Sequence, residues 1–449
     1  SPCIAVRWLD SPDAHFLGPR IDPVSIGAAV VKTVLLALFL TSLSSLSSLA
    51  AVDERLPDSS IYKGEIRRGP DGRLMSIESA ELPGAALKAA SMIVGPQEKI
   101  TSISEAAKLA KDGEVIEIRS GDYRGQPVVW TQNNLTIRGS DKRPVMLADG
   151  KSAEGKAIWV VRGDNVRIEN IEFRGARVGE FNGAGIRFER GQLVVHRCAF
   201  FDNEMGILTA NLPDMTLTVS DSEFGAAPET AGDLHHLLYV GAIARFELIG
   251  SRFERGYLGH LVKSRARENH VRYNFLVDGD NGSASYELEF PNGGLAYVVG
   301  NVIGQSAETE NPDIVSYGAE GPRWPDNALY LAHNTLINDY PSGDFLKLWT
   351  EKFPGGLEVW VINNLTIGYG NLNKPAYGRF EGNATAERRE MLGYGGAPAR
   401  LGSSSPLRGS VRIPGQANGV DLLPSGEFVF PAGVRKVVPA SALSPGALQ

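Results

Sequence analysis

The feature that most constrains this chain is an internal repeat whose spacing drifts. The segments RIENIEF, VVHRCAF, TVSDSEF, ELIGSRF, VRYNFL, YVVGNVI, YLAHNTL and WVINNL share one pattern. In each, β-forming residues lead to a small or amide residue, with an apolar residue two positions later. The register residues are Ile171, Cys198, Ser222, Ser251, Asn274, Asn301, Asn334 and Asn363, at spacings of 27, 24, 29, 23, 27, 33 and 29. A period in the twenties, with β-branched strands and glycine-rich turns, marks a solenoid. Leucine-rich repeats need recurring leucines at fixed offsets, which are missing, and propeller blades need a longer period. The pattern predicts an all-β chain wound as a parallel β-helix, one coil per repeat.

The last four register residues are all asparagine. Stacked coil on coil they form an internal amide ladder, which satisfies polar groups that burial would otherwise make costly. A solenoid also has two open ends to cover. In ISEAAKLAKDGEVIEIRSGDY (103–123), Ile103, Ala106, Ala107, Leu109 and Ala110 recur at helical spacing. Asp112-Gly113 then stops the helix and VIEI starts a strand. This predicts an N-terminal capping helix. The repeat fades beyond about residue 375, and the proline- and glycine-rich tail is expected to pack on the other end.

Composition agrees with a folded solenoid: 51 glycines in 449 residues, 43% hydrophobic and 22% charged. A net charge of −7 argues against general binding to nucleic acid or to anionic membrane. The stretch VKTVLLALFLTSLSSLSSLAAVDE (31–54) has the layout of a secretory signal peptide, with a cleavage site near Ala50. Its apolar run is too short and serine-rich for a membrane span. A leader of this kind places the start of translation near Val31. Removing residues 1–50 takes away Arg7, Arg20 and Lys32 with Asp10, Asp13 and Asp22, so the charge stays at −7. The expected organisation is a leader (1–50), an N-terminal extension (51–95), a parallel β-helix (96–375) and a C-terminal capping tail (376–449). Only Cys3 and Cys198 are present, which leaves no disulfide framework and no cysteine metal cluster. The expected location is secreted or periplasmic, with cohesion from burial and backbone hydrogen bonds.

Each coil carries a further strand after its register residue: AGIRFER, MGILTAN, HHLLYVG, HLVKSRA, YELEFPN, DIVSYGA and DFLKLWT. Strict alternation puts Ile186, Ile207, Val262, Leu288, Ile314, Leu346 and Leu348 inside. The outward column then holds Arg187, Glu189, Lys263, Arg265, Glu287, Glu289, Tyr317, Lys347 and Trp349, with His235, His236 and His260 alongside. In GHLVKSRAREN (259–269), Lys263, Arg265 and Arg267 fall at alternate positions. Lys263 to Glu287 and Arg265 to Glu289 are each 24 residues, so each carboxylate is expected beside a cation on the next coil. That arrangement reads either as cross-strand ion pairs or as a strip for an acidic sugar polymer. In the second reading aromatic rings stack on sugar faces while cations meet carboxylates.

The helix-then-strand opening, the asparagine-bearing coils and KSRARENHVRYNF together resemble right-handed parallel β-helix proteins, nearest to the alginate lyase and chondroitinase B family of polysaccharide lyases. The resemblance spans roughly residues 96–375. It implies β-elimination on an acidic polysaccharide, with Lys263 in the position of the family's base. Arg265 and Arg267 would favour the neutral amine that a base requires, and Glu287 would oppose it. The family's arginine on the following coil is missing, because that coil reads SYELEFPNGG. The paired acidic calcium ligands before the lysine are missing too, where this chain reads ERGYLGH.

Three functions therefore stay open: a lyase, a non-catalytic glycan-binding or matrix-assembly protein, and a glycoside hydrolase using Glu287 and Glu289 as acid and base. The candidate catalytic residues are Lys263, Arg265, Arg267, Glu287 and Glu289. The candidate substrate contacts are His235, His236, His260, Tyr317, Lys347 and Trp349. His196, His270 and His333 read as structural, and NGG at 292–294 as a turn. DGDNG, with Asp278, Asp280 and Asn281, lacks a full calcium motif, so no cofactor or metal is expected. The expected partner is an acidic polysaccharide.

Overall fold

The computed structural model describes residues 66–68, 74–76, 88–229, 236–280, 282–372, 378–392, 400–437 and 442–449. The leader at 31–54, Cys3, His235 and Asn281 lie outside them. The chain forms a right-handed parallel β-helix. Its three parallel sheets contain twelve, eleven and ten strands, and each full coil gives one strand to each sheet. The first sheet runs from Met92–Val94 to Arg379–Glu381, the second from Asp122–Arg124 to Ala384–Ala386, and the third from Val128–Trp130 to Asn371–Leu372.

A single residue turns the chain from the first sheet into the second. On successive coils Asn170, Arg197, Asp221, Gly250, Tyr273, Gly300, His333, Asn363 and Gly382 hold that corner with φ between 49° and 70°. Left-handed backbone costs a non-glycine residue about 1–2 kcal/mol, so something must offset it. The next residue does: Cys198, Ser222, Ser251, Asn274, Asn301, Asn334 and Asn364 line one buried column, which the half-buried Asn383 ends. Asn301 Oδ1 accepts from both the backbone N and Nδ2 of Asn274, each at 2.9 Å. Asn334 Oδ1 does the same for Asn301, and Asn364 Oδ1 for Asn334 at 2.9 and 3.0 Å. The serine hydroxyls and the Asn274 amide continue the series back to Cys198 N. The expected ladder is therefore present with one correction. Asn363 is the corner residue, bonded to His333 and Arg412 O, and Asn364 is the rung.

Beside the ladder, inside the second sheet, Phe173, Phe200, Phe224 and Phe253 stack face to face at 4.4–5.2 Å. Trp130 and Trp159 extend the column by edge contacts. Such contacts add about 0.5–1.5 kcal/mol per pair beyond area burial. At the N-terminal end the helix Ile103–Leu109 is capped by Ser102 Oγ, which accepts from Glu105 N at 3.1 Å. It packs Ile103 and Ala106 into the core, leaving Leu109 half exposed.

The tail departs from expectation. It lies lengthwise along the coils instead of across the end. Phe428 and Phe430 pack on Phe275 at 5.5 and 5.0 Å. Ala447 and Leu448 join Val302, Ile337, Leu365 and Ile367 on the outer face of the second sheet. Ala417 and Leu422 cover Tyr297 and Tyr330 on the outer face of the first. Those outward residues are apolar, so the outside of a coil needs a cover as much as its end does.

Truncating Asn301 to Ala orphans donors and acceptors on both neighbouring coils. We expect it to lower the unfolding free energy by about 3 kcal/mol, whereas Asn371→Ala at an exposed position costs under about 0.5 kcal/mol. Calorimetric unfolding of the two variants tests the ladder.

Candidate functional site

Four strands of the third sheet set the site. They align as the tetrads His236-Leu237-Leu238-Tyr239, His260-Leu261-Val262-Lys263, Tyr286-Glu287-Leu288-Glu289 and Asp313-Ile314-Val315-Ser316. The registers Tyr239↔Lys263, Lys263↔Glu289 and Glu289↔Ser316 fix the alignment. In each tetrad the two middle residues both enter the core, so strict alternation fails here. The partner of Lys263 is therefore Glu289, two residues beyond the expected Glu287.

The first members of the tetrads stack along the sheet. The rings of His236 and His260 lie 4.5 Å apart, and those of His260 and Tyr286 5.1 Å apart. His236 Nδ1 accepts from His260 N at 2.9 Å, and His260 Nδ1 accepts from Tyr286 N at 3.3 Å. The proton of His260 is thus on Nε2, which faces Glu289 Oε2 at 2.9 Å. Lys263 Nζ reaches the same oxygen at 3.1 Å. These are close ion contacts and not well-aligned hydrogen bonds. Burial lowers the pKa of His260. Burial raises that of Glu289, but His260 and Lys263 together outweigh it and hold the carboxylate at about 2.

Arg265 lies on the same coil as Lys263, just past the end of the strand Val262–Ser264. Its Nε donates to Tyr239 OH at 2.8 Å, and its guanidinium grips Glu320 with both terminal nitrogens, one at 2.8 Å. Asn292 Oδ1 accepts from the same fork. Lys263 Nζ lies 3.8 Å from Glu320 Oε1. Two cations and two carboxylates therefore balance. Arg267 stands apart in an exposed pair with Asp326 at 3.3 Å. Trp349 Nε1 donates to Ser316 Oγ at 3.3 Å, and Lys347 pairs with Asp344 while facing the Trp349 ring.

Two expected members are not on this face. Tyr317 points inward and donates its hydroxyl to Gly294 O within the core. It occupies the column of Ser264 and Phe290, because Val315, and not Ile314, is the register partner of Leu288. Glu287 is fully buried, in the place that Leu237, Leu261 and Ile314 fill on other coils. Neither of its oxygens has a hydrogen-bond partner among the described residues. Burial, with nearby Asp278, pushes its pKa well above the ordinary value. Glu287 and Glu289 thus project to opposite sides of the sheet, which removes the acid–base pair of the hydrolase reading.

Asp278 accepts from Gly256 N and Ala284 N, one oxygen each, at 2.6 and 2.8 Å. Its carboxylate pins a turn. Among the described residues no group of three or more His, Cys, Asp or Glu side chains is arranged to hold a metal ion. His196, His270 and His333 bond to Ser220, Glu268 and Asn363 respectively. Tyr239, Tyr286, Asn292, Ser316, Glu320 and Trp324 were not singled out by the sequence. Tyr239 could have been found by aligning the tetrads, since it follows His236 by the interval at which Lys263 follows His260. Glu320 carries no such signal, because it comes from a loop two coils further on.

No protein-family model matches this sequence, and no curated protein does either. Among solved structures the chain is similar to pectate lyase Pel9A, at 13% identity and a TM-score of 0.44. That match covers 74% of this chain and 96% of the other. It is also similar to ORF18 of Geobacillus virus E2, at 14% identity and a TM-score of 0.34, covering 75% of each chain. A third match is a pectin methylesterase from Aspergillus niger, at 12% identity and a TM-score of 0.31, covering 67% of this chain and 87% of that one. Among the described residues no helix is long and apolar enough to cross a membrane.

Lys263→Ala leaves Glu289, whose side chain is 4% exposed, without its lysine partner, and should cost about 3 kcal/mol. Lys263→Ala with Glu289→Ala should cost less than the sum of the single changes, while Arg267→Ala should cost under about 1 kcal/mol. Chemical denaturation of the four variants checks the order.

Glu287 makes stability depend on pH. A carboxyl whose folded pKa is raised binds its proton more tightly in the folded state. Its stabilising contribution is complete below the unfolded value of 4.5 and is lost as pH rises towards the folded value. Glu287→Gln cannot ionise. Its stability relative to the native protein should rise by about 1.4 kcal/mol per pH unit above that point, until Glu287 ionises in the fold. Parallel melts from about pH 4, near the ordinary carboxyl pKa, to about pH 9, well above it, would show a constant difference if Glu287 were solvated.

Proposed function

We propose that this protein is an exported carbohydrate-active β-helix protein that takes an acidic polysaccharide along the outer face of its third sheet and acts on it as a polysaccharide lyase. The observation that carries this reading is a carboxylate, that of Glu320, seated on the fork of Arg265 and 3.8 Å from Lys263. The two cations thus form a site with the size and charge of a uronate group. Tyr239 and Trp324 bond to Arg265, Tyr286 and Trp349 belong to later coils of the same sheet, and these aromatic residues would meet the sugars. In β-elimination Arg265 neutralises the uronate, and Lys263, once it has released a proton to solvent, takes as a neutral amine the proton beside the carboxylate and becomes an ammonium. The Tyr239 oxygen already accepts from Arg265 Nε, so its own proton is available to the leaving oxygen.

One observation favours a second reading, a glycan-binding protein without catalysis. Glu289 occupies the coil where the resembling lyases place an arginine, and Lys263, in ion contact with that carboxylate at 3.1 Å, must give up a proton before it can accept one. The two readings separate in one assay. The protein is mixed with a panel of polyuronates and sulfated glycans, and binding, ultraviolet absorbance and reducing ends are followed. We expect absorbance from an unsaturated product on a polyuronate, lowered about tenfold or more by Arg265→Lys, because a lysine cannot reproduce the planar fork. Binding without absorbance selects the non-catalytic reading, and no binding to any member rejects both.

A further inference from the structure

Glu289 and Glu320 meet the same cations in different ways. Glu289 belongs to the sheet: its side chain is 4% exposed and its strand pairs directly with that of Lys263. Glu320 arrives from the loop that joins the third-sheet strand Val315–Tyr317 to the first-sheet strand Ala328–Ala332, and its side chain is one-third exposed. The loop backbone is fixed. Gly318 N donates to Phe290 O, Glu320 N to Pro291 O and Arg323 N to Asn292 O, at 2.8–3.0 Å. Trp324 Nε1 donates to Arg265 O at 3.0 Å. Only the side chain of Glu320 is left to move, and rotation about its own bonds carries its carboxylate into solvent.

We propose that Glu320 is an internal ligand of the carboxylate site, a gate that an incoming carboxylate must displace. This rests on the reading of the site as one for uronates. The exchange is balanced: Glu320 leaves as a carboxylate, another carboxylate enters, and Lys263 and Arg265 keep their charges. Burial raises the pKa of Glu320, but Arg265 outweighs it, so no proton need be taken up for Glu320 to leave. Arg265 and Tyr239 stay bonded throughout, which keeps the fork aimed. A tethered competitor lowers the apparent affinity of every free ligand by the fraction of molecules in which the site is open. The factor is the same for an isolated monoanion and for a polymer, so at low concentration only a ligand whose neighbouring sugars supply additional contacts still fills the site.

The test uses the full chain and the variants Glu320→Ala and Glu320→Gln, with acetate and a pectate oligomer as probes. Acetate should restore the melting temperature that Glu320→Ala loses, beyond a chloride control of equal ionic strength, and should leave the native protein unmoved. The oligomer should bind Glu320→Gln about tenfold or more tighter than the native chain, a change of about 1.4 kcal/mol. If acetate rescues neither variant, Glu320 is a fixed structural partner and the gate is overturned. If acetate rescues but no acidic glycan binds any form, the gate stands and the carbohydrate reading falls. Should Glu320→Ala fail to fold, the acetate titration of Glu320→Gln decides between the same two outcomes.

Discussion

The architecture depends on one local exchange, repeated at every corner between the first and second sheets. A residue held in left-handed backbone turns the chain, and the side chain that follows it receives the amide of the coil before. Neither half stands without the other. The corner alone is strained, and the buried amide alone is unsatisfied. Joined, they fix the pitch, because Asn301 can serve Asn274 and Asn334 at once only if all three coils are in register. The aromatic stack beside the ladder inherits that register, and so do the tetrads of the third sheet.

Covering the outside is the second constraint. The outer faces of the later coils are apolar on two sheets, around Phe275, Val302 and Leu365 on one and Tyr297 and Tyr330 on the other. The tail answers both. Asn418 Nδ2 also donates to the hydroxyls of Tyr297 and Tyr330 at 3.2 and 3.0 Å. The face that carries Lys263 and Arg265 is thus the face that the tail residues named here do not cover.

The sequence was most legible where chemistry and period coincide. Asn274, Asn301 and Asn334 announced the ladder because nothing else explains asparagine at one place in successive β-segments. The doublet Asn363-Asn364 misled because the rule of an apolar residue two positions on selects Asn363, which precedes Leu365, whereas the rung Asn364 precedes Thr366. The third sheet misled for a related reason. Two consecutive inward residues break the period of two, and each shift of one residue exchanges inside for outside. Lys263 faces outward as expected but beside Glu289 instead of Glu287, Tyr317 and Glu287 face inward, and Glu320 was invisible because its partner is set by a loop rather than by strand spacing.

The strand that carries Glu287 and Glu289 shows how far environment decides chemistry. The two carboxyls are two residues apart in sequence, yet burial favours the neutral form of one, whereas His260 and Lys263 favour the ionised form of the other. Their effects on stability oppose. Glu289, with its pKa depressed to about 2, contributes stability above its unfolded pKa that is lost as pH falls, whereas the contribution of Glu287 is lost as pH rises. The buried histidines add to the acid side. Burial lowers His196 and His333 to about 4, so their neutral forms favour the fold only while the unfolded imidazoles are also neutral. Burial raises Asp221 to about 7, which adds to the alkaline side. The fold is therefore bounded from both directions by buried titratable groups. A ligand carboxylate that enters must replace a charge already there, since an added one would leave the cluster with an uncompensated negative charge in a partly buried site.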